Sequence, residues 1–383
     1  MEFFNSFTSQ LHAFVLSLAL FIQTIIGVYT TNTTVVVTPA PLAQPASSTP
    51  VVVAAASSSL PLPKATAVVV AKPIAKADPA TPAIPTPATP VAPVALIPTE
   101  QLNSQTRPSV VNILCTTRAG GSFAPISGSG IVIDSRGVIL TNAHVAQYFL
   151  LRDYGSPGNI QCVVRTGSPA APMYTAELLY LPPSWVNANA AQIISQQAIG
   201  TGENDFAFLR ITGTVSSSVI QPASYPALAM SSAEPSVGTQ VLLAAYPAGL
   251  LGGNTIQTNL YASSAVSSVQ DLYTFNDPKK VDLVALGGTV VAQSGSSGGA
   301  VVSAESGKLI GLIATESQGT TTSSRILNAI TIAYINRSLM SLGLGGITGL
   351  LSANLQQQSL DFASETAPGE IKTLSDVLNK VNR

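Results

Sequence analysis

The sequence of 383 residues carries little charge. Asp, Glu, Lys and Arg together make up 9% of it, and the formal net charge is −1 at pH 7. A nucleic-acid-binding surface needs clustered basic side chains, and a surface for cationic partners needs clustered acidic ones. The sequence therefore predicts that the protein binds no nucleic acid and has no strongly acidic binding face.

Histidine and cysteine are also scarce, with two residues of each type. Metal sites built from these ligands show clusters such as Cys-x-x-Cys, and no such cluster is present. We therefore expect neither a metal nor another cofactor. Two cysteines allow at most one intramolecular disulfide. Because His12 lies in an apolar N-terminal run, His144 is the one histidine suited to act as a general base.

Residues 1–30 are predicted to be a signal anchor or a signal peptide. Residues 11–29 are almost wholly apolar, and a helix of that length spans about 28 Å, close to the hydrocarbon core of a bilayer. No Lys or Arg precedes the run, and no clear small-x-small cleavage site follows it. The length favours an uncleaved transmembrane helix, and secretion after cleavage is the alternative.

Residues 31–104 are predicted to be a disordered linker. The segment is rich in Pro, Ala, Thr and Val and contains no aromatic residue, so it cannot bury a core. An extended tether of this kind could act as a stalk through a cell-envelope layer, or it could serve only as a spacer. With the preceding helix, it predicts an extracytoplasmic, membrane-anchored protein.

The stretch Ala292–Ala300 reads Ala-Gln-Ser-Gly-Ser-Ser-Gly-Gly-Ala. Glycine at this density indicates a backbone that turns tightly or meets a ligand closely. A serine on such a turn exposes its hydroxyl beside backbone N–H groups, which is the arrangement that acyl transfer needs. Taken alone, the stretch also fits a flexible Gly/Ser loop.

Two further segments supply partners for a serine nucleophile. An alternating pattern predicts a hairpin with strands near 129–133 and 138–142, and His144 follows the second strand. A later alternating strand begins at Asp205 and places this carboxylate on the apolar face. A buried carboxylate is costly unless it is hydrogen-bonded, and a histidine Nδ1–H would meet that need. A surface histidine and a strand-capping aspartate are the alternatives.

Taken in chain order, these three motifs resemble those of the trypsin-like, chymotrypsin-fold serine peptidases. The histidine motif is Thr141–Val145, the aspartate motif is Asp205–Leu209 and the serine motif is Gly295–Gly299. The resemblance is closest to the HtrA/DegP-like branch and covers about residues 105–345. The sequence departs from the family at Ser296, where a larger polar residue is usual, and at Ala300, where proline is frequent.

The resemblance implies an all-β fold of two six-stranded antiparallel Greek-key β-barrels with a short C-terminal helix. The peptidase domain would span 105–345, with barrel 1 at about 105–222 and barrel 2 at about 236–335. Within barrel 2, residues 253–268 are predicted to be a strand. Residues 346–383 are predicted to be a flexible tail with a possible short helix over 371–381, too short for the PDZ domain of HtrA-like proteins.

The resemblance also assigns the site. His144, Asp205 and Ser297 would be catalytic, and the backbone N–H groups of Gly295 and Ser297 would form the oxyanion hole. One wall of the substrate pocket would contain Val291 and Ala292. The facing wall would contain Ala314, Thr315 and Glu316. Because no acid precedes the nucleophile on the first wall, we expect a small or medium apolar residue before the cleaved bond.

A disulfide follows from the same resemblance. Cys115 lies in the predicted first strand and Cys162 in the predicted fourth strand, and these strands are neighbours in a trypsin-like first barrel. An oxidising compartment would permit a bond between them. The alternative is a pair of buried, reduced thiols, because free cysteine packs as a small apolar residue.

The most specific interpretation is a serine endopeptidase that hydrolyses peptide bonds of extracytoplasmic proteins through an acyl-enzyme intermediate. Its partners would be protein or peptide substrates and, through the N-terminal helix, the membrane. The sequence leaves the oligomeric state open. Two alternatives remain. One is a catalytically inactive peptidase-fold binding protein, and the other is a stalked surface adhesin whose barrels are only a scaffold.

Overall fold

The computed structural model describes residues 95–118, 125–195, 200–316 and 326–381. The predicted anchor, residues 11–29, lies outside these ranges, as does most of the predicted linker. Within the described ranges, no helix is both long enough and apolar enough to cross a membrane.

Six strands form the first barrel: β1 Val110–Thr117, β2 Ile126–Asp134, β3 Val138–Thr141, β4 Ile160–Thr166, β5 Ala171–Tyr180 and β6 Ala207–Thr214. They close in the order β1-β2-β3-β6-β5-β4, and all neighbouring pairs are antiparallel.

Six more strands form the second barrel: β7 Gln240–Ala245, β8 Ser263–Tyr273, β9 Leu283–Leu286, β10 Ala300–Ser303, β11 Leu309–Glu316 and β12 Leu327–Thr331. They close in the order β7-β8-β9-β12-β11-β10, which repeats the connectivity of the first barrel. The prediction of two six-stranded antiparallel barrels is confirmed.

The described helices are α1 Thr99–Thr106, α2 Ala143–Leu150, α3 Pro183–Asn189, α4 Gly253–Thr258, α5 Ile332–Ser341, α6 Gly346–Ser352, α7 Leu355–Asp361 and α8 Ala367–Val381. Short 3-10 turns lie at Arg107–Ser109 and Ala190–Ile194, and a π-helical turn lies at Phe362–Thr366. Helix α4 occupies the start of the range that the sequence predicted to be a strand.

The β2–β3 hairpin shows how the local sequence sets this architecture. Gly137 has a φ of 87°, a left-handed conformation that glycine adopts without the steric penalty of a Cβ. Asp134 caps the turn, because its carboxylate accepts a hydrogen bond of 2.8 Å from the Arg136 N–H. On the strands, Ile131 and Leu140 are fully buried, so the alternating pattern faces the core as predicted.

Apolar clusters fill each barrel and the space between them. One cluster lies inside barrel 1 around Ile113, Val164 and Leu209, and another lies inside barrel 2 around Val241 and Leu286. A third cluster combines residues from the facing sides of both barrels, including Phe206, Phe208, Leu242, Leu312 and Ile330. The two barrels therefore share a continuous apolar interface, and the polar groups described below lie at its edge.

The described fold includes residues before position 104, where the predicted linker was expected to end. The Ile97 N–H donates a hydrogen bond of 2.8 Å to the Ala304 carbonyl. Leu102, on α1, is 2% exposed and packs into the cluster between the barrels. The last residues assigned to the linker are thus part of the folded unit, because a single buried leucine fixes a helix that polar composition alone does not predict.

The segment 346–383, predicted to be a flexible tail, instead folds onto the first barrel as far as residue 381. Leu374 and Leu378 of α8 are 0% and 4% exposed and belong to the barrel 1 cluster. Helix α8 packs against α3 and the Ala190–Ile194 turn. The predicted short amphipathic helix does form, but its apolar face is docked.

Cys115 and Cys162 face each other across the β1–β4 pair and form a disulfide, with their Cα atoms 4.0 Å apart. The bond joins residues separated by 47 positions. His144 lies between them in the chain, so the disulfide closes a loop that contains this side chain.

Removing the disulfide should lower the thermal stability. The loop-entropy relation for this separation gives about 4 kcal/mol, which corresponds to a decrease in Tm of about 10 °C. We expect this decrease in a Cys115→Ala/Cys162→Ala variant measured by calorimetry, and a similar decrease in the wild type with reductant. Equal midpoints for wild type with and without reductant would contradict a stabilising bond.

Helix α8 also buries a carboxyl group. Glu370 is 3% exposed, and neither of its carboxylate oxygens makes a hydrogen bond with a described residue. Burial raises the pKa of Glu370 from 4.5 to about 8. Tyr180, at the end of β5, is the titratable group that interacts with it electrostatically. Glu370 is therefore protonated in the folded protein at neutral pH.

This carboxyl group should make the protein less stable as the pH rises. The folded state holds the Glu370 proton up to about pH 8, whereas the unfolded chain releases it near 4.5. The free energy of unfolding should therefore decrease between these values. We expect Glu370→Gln to weaken this pH dependence and to raise Tm by several degrees at pH 8. The exposed Glu365 supplies the control, since Glu365→Gln should leave the profile unchanged.

Candidate active site

His144 lies in the first turn of α2, just beyond the end of β3. Asn142, two residues before His144, is fully buried. Its side-chain Nδ2 donates a hydrogen bond of 2.8 Å to the Asp205 backbone carbonyl. The Gln147 amide donates to the His144 carbonyl at 2.9 Å. These bonds fix the backbone on both sides of the histidine, whose ring remains partly exposed to the cleft.

Asp205 lies two residues before the start of β6 and is 4% exposed. Its Oδ2 lies 2.7 Å from His144 Nδ1, and its Oδ1 accepts a hydrogen bond of 2.9 Å from the His144 backbone N–H. One carboxylate therefore holds both the ring and the backbone of the histidine. Because Nδ1 donates to the carboxylate, Nε2 is left as the proton acceptor when the ring is neutral.

The second barrel helps to hold this carboxylate in place. Asn204, next to Asp205, has a φ of 57° although it is not glycine. Tyr334 of α5 donates from its hydroxyl to Asn204 Oδ1 at 3.0 Å and accepts from the Asn204 N–H at 3.2 Å. These two bonds stabilise a left-handed backbone conformation that side chains other than glycine rarely adopt. No local sequence pattern around Asn204 indicates this contact.

Ser297 lies on the glycine-rich turn that precedes β10. Gly295 and Gly298 have φ angles of 92° and 86°. A Cβ on Gly298 would approach the Ser129 carbonyl oxygen to 2.0 Å, so a side chain at this position would push the turn away from the first barrel. Glycine is therefore required here, as the density of glycine in the stretch predicted.

The turn leaves two backbone donors unused. The N–H groups of Ser296, Gly298 and Gly299 donate to carbonyl oxygens within the protein. The N–H groups of Gly295 and Ser297 make no hydrogen bond with any described residue. Two free donors on either side of the buried Ser296, next to the Ser297 hydroxyl, are the arrangement that binds a developing oxyanion.

His144, Asp205 and Ser297 line one cleft with a volume of about 790 Å³. No hydrogen bond joins His144 Nε2 to Ser297 Oγ among the described contacts. In unliganded enzymes this contact is often long and tightens only when substrate binds. Glu203 and Asp205 are the acidic residues among the described lining residues, and the other described lining side chains, apart from that of His144, are uncharged.

The predicted pocket walls are only partly observed. Ala314 lines the cleft. Val291 and Ala292 are fully buried in the barrel 2 cluster and do not line it. Val291 and Ala292 lie outside the strands. The alternation of inward and outward side chains along a strand therefore could not predict that they face the core. The side chains of Thr315 and Glu316 lie outside what the structure describes.

Other cleft residues were not identified from the sequence. They come from α3 and the turn after it, from the loop between β7 and β8, and from strands β11 and β12. These residues are Trp185, Asn189, Ile193, Ile256, Ile313 and Leu327. The first three belong to a segment of uncertain pattern between β5 and Asp205.

The electrostatic environment of His144 favours its protonated form. Burial lowers the pKa of His144, whereas the charge and the hydrogen bond of Asp205 raise it, and the net result is a pKa above the usual 6.5. The Asp205 carboxylate thus stabilises the imidazolium that forms when His144 accepts a proton. Among the described residues, no group of His, Cys, Asp and Glu is arranged to hold a metal ion.

A family match covers most of the part of the chain that lines the cleft. Residues 128–312 match the family described as the trypsin-like peptidase domain, and this range contains His144, Asp205 and Ser297. A search of curated proteins gave no match.

Two solved structures are similar to the chain. The active form of the Rv3671c protease from Mycobacterium tuberculosis has 20% sequence identity and a TM-score of 0.39, covering 69% of this chain and 95% of that one. The serine endoprotease from Yersinia pestis has 20% identity and a TM-score of 0.41, covering 64% of this chain and 67% of that one.

The two barrels and the family match define the class of the protein. The chain carries a trypsin-like peptidase domain at residues 128–312. As a member of this class it is a serine endopeptidase, a hydrolase. The resemblance that the three sequence motifs suggested is therefore confirmed.

The contact between His144 and Asp205 can be tested without an activity assay. We expect the pKa of His144, measured by NMR, to lie above 6.5 in the wild type and to be lower in Asp205→Asn, because this variant removes the charge that favours the imidazolium. His144→Gln identifies the resonance. The exposed Asp153 provides the control, and an equal decrease in Asp153→Asn would contradict the assignment.

Proposed function

We propose that this protein hydrolyses peptide bonds of extracytoplasmic proteins through a triad of Ser297, His144 and Asp205. The observation that carries the proposal is the double contact of Asp205 with His144, made in the same cleft as Ser297. This contact fixes the tautomer that leaves Nε2 free to accept a proton. A serine hydroxyl activated in this way attacks an acyl carbon.

In the first half of the reaction, Ser297 Oγ forms a bond to the substrate carbonyl carbon while its proton passes to His144 Nε2. The carbonyl oxygen becomes an oxyanion, and the free N–H groups of Gly295 and Ser297 donate hydrogen bonds to it. His144 then gives the proton to the leaving amine as the C–N bond breaks. The product is an acyl ester on Ser297.

In the second half, a water molecule attacks the ester carbon and His144 accepts a proton from it. The oxyanion forms again in the same hole, and Ser297 leaves with the proton that His144 returns. Asp205 stabilises the imidazolium in both halves. Because His144 must be neutral to begin each half, the rate should fall as the pH decreases through its raised pKa.

The described part of the cleft favours an apolar residue before the cleaved bond. Ile313, Ala314 and Leu327 line the floor near Ser297 and are buried. None of them carries a charge, so the desolvation of a lysine or arginine side chain there would not be compensated. A small or medium apolar side chain would bury its surface against these three residues.

The proposed location rests on the N-terminal sequence and on the disulfide. Residues 11–29 have the length and apolarity of a membrane anchor, and the following proline-rich segment would place the peptidase domain at a distance from the bilayer. The disulfide between Cys115 and Cys162 suits an oxidising compartment. Secretion after cleavage of the N-terminal segment would be compatible with both observations.

Fluorophosphonate labelling distinguishes the enzyme from an inactive binding protein and from an adhesin. The wild type should become covalently labelled on Ser297, because His144 activates only this hydroxyl. Ser297→Ala should lose the label and lower kcat on a peptide substrate by about 10⁶-fold. Absence of labelling in the folded wild type would contradict the proposed function.

Ser294 offers a matched control on the same turn. Its side chain is exposed and lies three residues before Ser297, so Ser294→Ala should be labelled like the wild type. Loss of labelling in both variants would show that the turn, and not the nucleophile, had been disrupted.

A further inference from the structure

The loop between β7 and β8, residues 246–262, directly supports the candidate oxyanion hole. Its Ala248 N–H donates a hydrogen bond of 2.7 Å to the Ser294 carbonyl. Ser294 O and Gly295 N belong to the same peptide group, so fixing the carbonyl also fixes the direction of the Gly295 N–H. A Cβ on Gly295 would lie 2.8 Å from the Tyr246 carbonyl oxygen, so the loop packs against the turn without space between them.

Although this loop belongs to the second barrel, the first barrel holds it. The Ala170 N–H donates to the Leu260 carbonyl at 2.7 Å. The Tyr246 hydroxyl donates to the Gly167 carbonyl at 2.8 Å. Both contacts involve the hairpin that connects β4 to β5. The position of the loop relative to Gly295 therefore depends on contacts from the other barrel.

The strongest of these contacts comes from Arg165 on β4. This arginine is fully buried. Its Nη1 and Nη2 donate to the carbonyls of Gln257 and Ile256 at 2.8 and 2.9 Å, in the last residues of α4. Its Nε donates to Asn112 Oδ1 at 2.7 Å. Asn112 in turn donates to the Gly128 carbonyl at 2.7 Å, immediately before Ser129.

Arg165 has no acidic partner among the described residues, and burial lowers its pKa. A buried cation without a counter-ion is costly unless all its donors find acceptors. The carbonyls of Ile256 and Gln257 supply two of these acceptors only when α4 lies against the first barrel. Movement of the loop away from this position would leave the guanidinium group without them, and this couples the loop to β4.

We propose that Arg165 is a positioning residue for the oxyanion hole. By fastening the 246–262 loop to the first barrel, it keeps Ala248 in place to orient the Ser294–Gly295 peptide group. This inference rests on the proposed function, in which the Gly295 N–H stabilises the transition state. Arg165 itself does not line the cleft.

The test compares Arg165→Lys with wild type in the full chain. Lysine keeps the charge but cannot make three fixed hydrogen bonds from a planar group. Because loss of one oxyanion donor costs about 10²- to 10³-fold in kcat, we expect partial misorientation to lower kcat by about 10- to 100-fold. KM should change little. Active sites are counted by fluorophosphonate titration, so loss of folded protein does not enter the rate.

Two further readouts separate positioning from a general structural effect. The inhibition constant of a peptide aldehyde, which binds as an oxyanion, should rise by the same factor as kcat/KM falls. The acid limb of the pH profile should not move, because the contact between His144 and Asp205 is unchanged. An unchanged kcat, a change in KM alone or a shifted acid limb would overturn the proposal.

Two other variants complete the design. Arg152 is exposed, with 76% of its side chain accessible, so Arg152→Lys should behave like the wild type. Tyr246→Phe removes the bond to the Gly167 carbonyl without burying an unpaired charge, and it should lower kcat in the same direction by a smaller factor. If Arg165→Lys fails to fold, the kinetics of Tyr246→Phe decide whether anchoring of the loop affects the oxyanion hole.

Hydrogen exchange keeps this inference separate from the proposed function. In Arg165→Lys, the amides of residues 246–262 and 294–299 should exchange faster than in wild type, while those of β9 and β12 should not. Absence of labelling in the wild type would contradict the proposed function. The exchange result would still show whether Arg165 holds the 246–262 loop and the nucleophile turn in place. Equal exchange of the two segments in both proteins would overturn the role of Arg165.

Discussion

Ser129 makes hydrogen bonds with both the nucleophile turn and the loop between β7 and β8, and the arrangement of the nucleophile turn depends on them. This fully buried residue of β2 donates from its backbone N–H to the Ser297 carbonyl at 2.7 Å and from its hydroxyl to the Gly295 carbonyl at 2.8 Å. Its hydroxyl also accepts from the Tyr246 N–H at 2.9 Å. One serine of the first barrel therefore holds the nucleophile turn and the loop behind it.

The two barrels consequently contribute different parts of one site. The first barrel supplies His144 and Asp205, and the second supplies Ser297 and the two free N–H groups. The contacts that set their relative position run in both directions, from Ser129 to the turn and from Tyr334 to Asn204. Because these polar bonds run between the two barrels, a small shift of one barrel against the other would disturb both halves.

Residues 346–381 contribute to the site indirectly. Helix α8 packs behind the Ala190–Ile194 turn, and Ile193 of that turn lines the cleft. Leu374 and Leu378 share one apolar cluster with Trp185 and Ile193. The helix thus stabilises the cleft wall from the side opposite the substrate, although it was predicted to be a flexible tail.

The sequence predicted those parts of the structure in which a local pattern determines the outcome. The hairpin before His144 combines alternating apolar residues with a glycine at a left-handed turn, and it forms within two or three residues of its predicted bounds. The motifs around His144, Asp205 and Ser297 indicated the site. Dense glycine implies a tight turn at Ser297, and a carboxylate on an apolar strand face needs a hydrogen-bond donor such as a histidine. The family match then supports the overall architecture.

The remaining features depend on contacts between distant segments, which a single sequence does not reveal. Residues 253–258 form a helix and not the predicted strand, and their last carbonyls bind Arg165 from the other barrel. Arg165 itself looks like an ordinary outward-facing residue of an alternating strand. An amphipathic pattern over 371–381 predicts a helix, but only the apolar surface around Trp185 determines where the helix docks.

Two ionisable groups are expected to limit the pH range in which the protein is both active and stable, one at its acid end and the other at its alkaline end. His144 must be neutral to accept a proton, so the proposed chemistry is favoured as the pH rises through its elevated pKa. Glu370 must be protonated to remain buried without a partner, so docking of α8 weakens as the pH approaches about 8. Since residues 292–300 contain no ionisable side chain, the nucleophile turn adds no titration of its own. Loss of activity at alkaline pH should therefore begin at the cleft wall near Ile193, before the contact between His144 and Asp205 is affected.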